Sequence, residues 1–332
     1  MGLHKRSVKL DQKGFGLVEL MVALVVGLVT SLAIMEVFVG FEGQKRTTTA
    51  GADAQTNGTV ALYSITRDLQ MAGYGLIPEK DSPLECNPVP TLDGINLLPV
   101  RIANGGSGAG GDSIAIRFGR SPMAGVPTTV VGVTVATNTL TVDNNLGCQV
   151  GDAALFINGA VCKMAHVTGV SAAPTFTGVT LDAVAATDVG SKLSCLGPWQ
   201  QFAYDVTAGN LRVNADPRVS GIFSIQAQYG ISNASSDNQV ACWTDAVAGG
   251  CGGADWSNLA SLAPTVRNRI KAVRIAIIAR SELRERDPVS GDFDAWTGGP
   301  AVTIAGEDRF YRYRVFETII PLRNTVWAKE TL

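Results

Sequence analysis

The chain has 332 residues, of which 17% are charged, and its formal net charge is −2. So balanced and charge-poor a composition offers nothing that suggests an electrostatic grip on nucleic acid, and the length admits one large domain or two small ones. Six cysteines (Cys86, Cys148, Cys162, Cys195, Cys242 and Cys251) form an even set, which suits disulfides made in an oxidising compartment. Cys242 and Cys251, bracketing WTDAVAGG, are close enough to close a local loop; the remaining pairings stay open.

The N-terminal segment comes first in the chain and carries the most information. His4, Lys5, Arg6, Lys9 and Lys13 stand against Asp11 alone, and behind them Phe15 to Phe41 is predominantly apolar, its only charges being Glu19 and Glu36. Roughly 20 apolar helical residues cross a bilayer core, so this stretch predicts a single span. Positive charge ahead of it predicts the N-terminus in the cytoplasm and the bulk of the chain outside. No small-residue cleavage site follows Phe41, so an ordinary signal peptide does not fit. Glu19 is the anomaly: a carboxylate inside a span costs roughly 2.5 kcal/mol or more near the bilayer centre and normally has a partner and a task.

KGFGLVELMVALVVGLV, with Gly14 before Phe15 and an acid at Glu19, resembles the type IV prepilin signature. The resemblance implies that a prepilin peptidase cuts between Gly14 and Phe15 and that Phe15 is then N-methylated. It further implies that Glu19 pairs with the Phe15 amine of a neighbouring subunit during filament assembly. A charge-assisted pair of this kind offsets the desolvation of both groups. Gly16 follows Phe15 where many relatives have Ser or Thr, a departure harmless for cleavage.

Beyond the span, Leu62, Ile65, Leu69 and Ala72 recur at helical spacing, and Gly73 and Gly75 supply a stop. Gly43, Gly51 and Gly58 weaken the stretch between, leaving one long helix or two helices with a linker both open. ITRDLQMAGYG also resembles a motif of PilW-like minor pilins, in which Arg67, Asp68 and Gly73 read as structural, a contact with another subunit being the open alternative. The domain expectation is a leader over 1–14, a membrane and filament-core helix over 15–42, an amphipathic helix over 43–75 and a β-rich periplasmic region over 76–332.

After Gly75 the pattern changes to short strands and turns. The predicted strands are Asp112–Phe118, Thr128–Ala136, Asn138–Asp143, Asp152–Asn158, Ala160–Val167, Gln200–Val206, Asn210–Asn214, Gly221–Ile231, Ile270–Glu282 and Arg309–Asn324. No Pro/Ser-rich linker divides the region; it reads as one large β domain with insertions, or as two lobes meeting near Gly190–Pro198. QAQYGIS, IKAVRIAIIARSE and VFETIIPLRN again look like PilW-like proteins, while residues 80 to 200 are recognised only by composition. The fold class is therefore α+β, a long N-terminal pilin helix packed on a large β-rich region.

Few residues suggest chemistry. Gly106 to Gly111 matches GxGxxG but precedes a strand-like segment rather than a helix, so it reads as a loop. Cys162 and His166 have no second ligand pair for zinc. Asp287, Asp292 and Asp294 lack EF-hand spacing and read as a solvated turn. Trp199, Trp243, Trp256, Trp296 and Trp327 are too dispersed for a base-stacking face, and Arg267, Arg269, Lys271 and Arg274 read as the wet face of a strand. No enzyme activity, cofactor or metal is expected, and no direct nucleic-acid partner. The resemblance implies a minor pilin that starts or caps a type IV pilus, made in the bacterial inner membrane and carried to the pilus tip. Its expected partners are other minor pilins, the major pilin, a PilY-type tip adhesin and the prepilin peptidase. The alternatives are a minor pseudopilin of a type II secretion system, or a membrane-anchored exported adhesin or enzyme.

Overall fold

A computed structural model describes residues 14, 16–76, 85–183 and 189–326, the side chains of Arg46, Thr47 and Val326 excepted. The basic leader residues, Phe15 and Trp327 lie outside the described residues. Helix α1 runs over Leu17–Met71, and the chain divides within it into two compact units, Met1–Gly51 and Ala52–Leu332. The stretch containing Gly43, Gly51 and Gly58 is helical.

The second unit is built on two antiparallel sheets and a closed barrel. In chain order its principal strands are β1 (Val100–Ala103), β2 (Ser113–Phe118), β3 (Thr128–Thr134), β4 (Thr139–Val142), β5 (Ala153–Asn158), β6 (Val161–Val170), β7 (Gly178–Leu181) and β8 (Lys192–Cys195). They continue with β9 (Gln200–Thr207), β10 (Asn210–Val213), β11 (Asp216–Ser220), β12 (Ile222–Ile231), β13 (Cys242–Thr244), β14 (Ile270–Arg280) and β15 (Tyr313–Pro321). The first sheet has the order β11-β10-β9-β2-β1, and the second the order β13-β12-β14-β15, with Gly110–Gly111 adding a short parallel pairing to β12.

Strands β3 to β8 close into a six-stranded barrel of order β7-β4-β3-β8-β5-β6. It has its own core, including Val130, Leu140, Phe156, Val167 and Leu193. This barrel is inserted into a hairpin: β2 and β9 pair directly, Gln200 opposite Phe118, as though nothing lay between them. Closure removes every edge that six short strands would otherwise expose.

The C-terminal part of α1 reads its sequence onto the sheets. Ala54, Gly58, Ala61, Ile65, Asp68, Leu69 and Ala72 are buried, at spacings of three and four, while Val60 and Tyr63 are exposed. The expected stripe is thus present for Ile65, Leu69 and Ala72, with Leu62 only half-buried and Ala61 facing inward. This stripe shares one core with Ile102, Ile114, Ile116 and Tyr204 of the first sheet and Ile225, Tyr229, Ile275, Ile277 and Ile320 of the second. Full burial of a side chain such as Ile65 or Leu69 stabilises by about 1.5–3 kcal/mol.

Strands β12 and β14 lack the alternation of a half-wet strand because they are covered twice. Their second face packs Phe223, Ala276 and Ile278 against Trp296, Val302 and Ile304 from the segment joining β14 to β15. The last strand starts later than expected: Gly306–Phe310 forms a 3₁₀ turn and pairing begins at Tyr313. Phe316 shares a side with Arg314 through the two-residue period. Tyr313, on the opposite side, meets Phe223 edge-on at 5.1 Å.

Gly58 is fixed by contact rather than by flexibility. A Cβ there would stand 2.1 Å from Phe316 Cε2. Helix propensity alone favours Gly58→Ala by about 1 kcal/mol, but overpacking of this kind costs typically 1–3 kcal/mol. Gly58→Ala is therefore expected to lower the thermal midpoint of the purified chain, whereas the same change made in a Phe316→Ala background raises it.

Candidate functional site

The residues expected to carry processing and assembly lie at the start of α1. Gly14 is exposed and precedes the helix; Phe15 is outside the described residues. Gly16 provides the first helical acceptor, its carbonyl taking the Leu20 N–H at 3.1 Å. Glu19 falls in the first turn, where unsatisfied N–H groups and the helix dipole favour an anion. Its side chain is exposed. The dipole gives this acid a local reason to occupy its position, and it leaves the carboxylate accessible to a cation from outside the chain.

Downstream, Leu17, Leu20, Met21, Leu24, Val25, Leu28, Leu32, Met35 and Phe38 are all more than half exposed, and so are Val18, Val22, Val29 and Val39 between them. The helix is apolar all round, long and apolar enough to cross a membrane, and none of its most apolar stretch is buried within the chain. A cylinder of this kind belongs in lipid or among other apolar helices.

Arg67, Asp68 and Gly73 serve the fold. The Asp68 carboxylate is buried and accepts the Tyr204 hydroxyl at 2.7 Å, while the Arg67 guanidinium lies 3.1 Å from its other oxygen. Burial raises the Tyr204 phenol well above its ordinary pKa, so it remains a donor to that carboxylate. Gly73, at φ +75°, ends the helix in the left-handed region, and its N–H donates to the Arg117 carbonyl at 2.8 Å. Tyr204 sits on β9 at an inward position of an alternating run; its partnership with an acid on α1 has no signal in the sequence.

Three disulfides are present. Cys242–Cys251 closes the local loop, Cys148–Cys195 lies in the barrel, and Cys86–Cys162 ties the segment before β1 to β6. Cys162 is thereby taken up, and His166 Nε2 lies 2.9 Å from an Asp93 carboxylate oxygen. Asp292 accepts the Ile304 N–H at 2.7 Å, which makes it a structural acceptor. Among the described residues no group of three or more His, Cys, Asp and Glu side chains is placed to hold a metal.

Two further readings change with the structure. Arg267 and Lys271 are buried rather than wet: Arg267 donates to the Cys86 carbonyl, and Lys271 donates to the Ser235 carbonyl at 2.8 Å. Arg269 likewise donates to the Ser232 carbonyl, and Arg274 stacks on Trp296 at 4.5 Å while pairing with Glu317. Arg267, Arg269 and Lys271 thus satisfy carbonyls that would otherwise lack donors. In the glycine-rich run it is Gly111 that has no room for a side chain, since a Cβ there would meet the Ile225 carbonyl oxygen at 2.2 Å, whereas Gly106 and Gly108 stand in open space.

Asp112, just after that run, is a buried carboxylate the sequence did not single out. It accepts the Gly105 N–H at 3.0 Å and the Ala227 N–H at 2.7 Å, joining the glycine loop to β12. Burial pushes its pKa up to about 6 against those two hydrogen bonds, with Asp245 adding in the same direction. The folded state therefore holds this proton more tightly than the unfolded chain. Its contribution to stability is full below about pH 4 and is lost as pH rises through about 6. Denaturant titrations across that window should show a falling component of stability that Asp112→Asn removes.

Residues 200–324 match the family model for type IV pilus-assembly protein W, and residues 9–35 match the prokaryotic N-terminal methylation motif. No curated protein and no solved structure matches the chain. The first match begins where the barrel returns to the sheet at β9, so the barrel lies outside it.

Proposed function

We propose that this chain, a PilW-like type IV pilin by both of its family matches, is a minor pilin that joins other pilins to start or cap a pilus. The observation that carries the reading is the uncovered apolar helix behind a methylation motif, in a chain whose C-terminal region is of the pilus-assembly type. Before assembly the helix resides in the inner membrane with the β-rich region in the periplasm. During assembly it moves from lipid to a bundle of like helices, a transfer that costs little hydrophobic energy because both surroundings are apolar.

Processing supplies the specific contact. Cleavage after Gly14 frees an amine on Phe15, and N-methylation leaves it cationic. The exposed Glu19 carboxylate of one subunit accepts that amine from its neighbour, which sets the axial register of the helices. Partners are other minor pilins, the major pilin and a tip adhesin of the PilY type, with a prepilin peptidase as the processing enzyme. The reading requires no catalysis by the chain itself.

Intact mass of the membrane-extracted chain should show the loss of residues 1–14 and the gain of one methyl group, and Gly14→Val should retain the leader. Glu19→Ala should leave membrane level and cleavage unchanged. It should cut incorporation into sheared filaments about tenfold or more, equivalent to a loss of ~1.4 kcal/mol in the joint. Normal incorporation of the alanine variant would remove the charge pair from the mechanism.

A further inference from the structure

Among the described residues, the second sheet ends in a long edge whose outward side is unpaired. Strand β15 spans nine residues and, among the described residues, pairs only with β14. The other edges of the two sheets are shorter, with three residues in β13, four in β1 and five in β11, the last carrying Asp216, Pro217 and Arg218; β15 carries Arg314, Glu317 and Pro321 but over nine residues. Natural edges are normally shortened, charged or broken in this way, since unpaired backbone groups invite another strand.

The register identifies which backbone groups of β15 are free. Leu322 N–H donates to the Lys271 carbonyl and Ser281 N–H donates to the Arg312 carbonyl. With Ile320 opposite Val273 and Phe316 opposite Ile277, the even-numbered residues exchange hydrogen bonds with β14. The N–H and C=O groups of Tyr313, Val315, Glu317 and Ile319 therefore point away from the sheet, and Pro321 occupies the one odd position with no N–H to offer. Val315 is 39% and Ile319 51% exposed on one face of this edge. On the other face Arg314 is exposed and, among the described residues, has no acidic partner.

We infer that β15 is a docking edge for an extended segment of a different protein, which adds a further strand to the second sheet. The side chains define what that segment carries: apolar residues across from Val315 and Ile319, and an acid on the opposite face across from Arg314. A second copy of this chain does not meet the requirement. Two β15 edges would pair antiparallel through their odd residues, so odd positions always oppose odd ones. Arg314 then never faces Glu317, and a register centred on Glu317 sets two carboxylates against each other. Strand addition takes affinity from main-chain hydrogen bonds and specificity from alternate side chains. The inference is independent of the N-terminal helix and of pilus assembly.

The test uses the intact chain in detergent micelles and two synthetic nine-residue peptides of alternating valine and threonine. One places aspartate to lie across from Arg314; the other has lysine there. Fluorescence anisotropy should show the aspartate peptide binding at least tenfold more tightly, with slowed amide hydrogen exchange at Val315, Glu317 and Ile319. Val315→Pro removes only an outward N–H, so it should preserve the fold and weaken binding tenfold or more. Arg314→Glu should reverse the preference between the peptides. Failure of both peptides to bind, or binding unchanged by Val315→Pro, would overturn the inference. So would concentration-dependent dimerisation that Val315→Pro abolishes, since it assigns the edge to a second copy.

Discussion

The stripe of α1 that meets the sheets is made mostly of residues with little or no side chain. Ala54, Gly58, Ala61 and Ala72 leave room for the larger groups of the sheets, and Ile65 and Leu69 fill what remains. This close approach is the constraint on which the β-rich unit depends, since it lets one core serve a helix and two sheets at once. Small residues alone would slide, because packing of alanine against aliphatic chains has little registry of its own. Asp68 supplies the registry: a buried carboxylate reaching the Tyr204 hydroxyl at 2.7 Å tolerates little displacement along the helix. Phe316 against Gly58 fixes the other end of the same stripe.

The N-terminal part of α1 follows the opposite logic. Its large apolar side chains are displayed on every side instead of along one stripe. Burial of each such side chain is worth about 1.5–3 kcal/mol relative to water, so a helix of this composition is driven into an apolar surrounding. Polar groups within it carry more weight than they would on a soluble helix. Thr30 spends its hydroxyl on the Val26 carbonyl at 2.7 Å, whereas Glu19 and Glu36 retain exposed carboxylates. Of the two, Glu19 lies in the first turn, where the helix dipole assists it.

How much of this was legible beforehand depended on how local the cause was. The apolar run, Glu19 and the leader charges are local, so the helix and its prepilin resemblance could be read directly. Alternation exposed the strands with one dry face, and β-branched content exposed β12 and β14, which are covered on both faces. What escaped was set by distant partners. The alternation of Phe310, Tyr311 and Tyr313 suggested an early start for the last strand, yet pairing with β14 begins only at Tyr313. Arg267 and Lys271 looked wet because no sequence signal announces that a later segment covers their strand and leaves loop carbonyls in need of donors. The short barrel strands β7 and β8 and the edge strand β11 carry too few residues for a period to emerge. Gly58 read as a helix-weakening residue because its partner lies 258 positions away in the chain.

The inserted barrel adds surface without interrupting the sheet that carries it. Because β2 and β9 pair directly across the insertion, the ends of the barrel segment emerge side by side from an intact hairpin. The loop-closure cost of a long insertion grows only slowly with length, and a barrel with its own core and the Cys148–Cys195 disulfide supplies its own stability. The Cys86–Cys162 bridge then ties β6 to the segment that leads into β1, restraining the module relative to the sheets. The sheet that contains β15 and the helix that contains Glu19 therefore need not change when the barrel does. The family match, which begins at residue 200 and omits the barrel, has the form this separation produces.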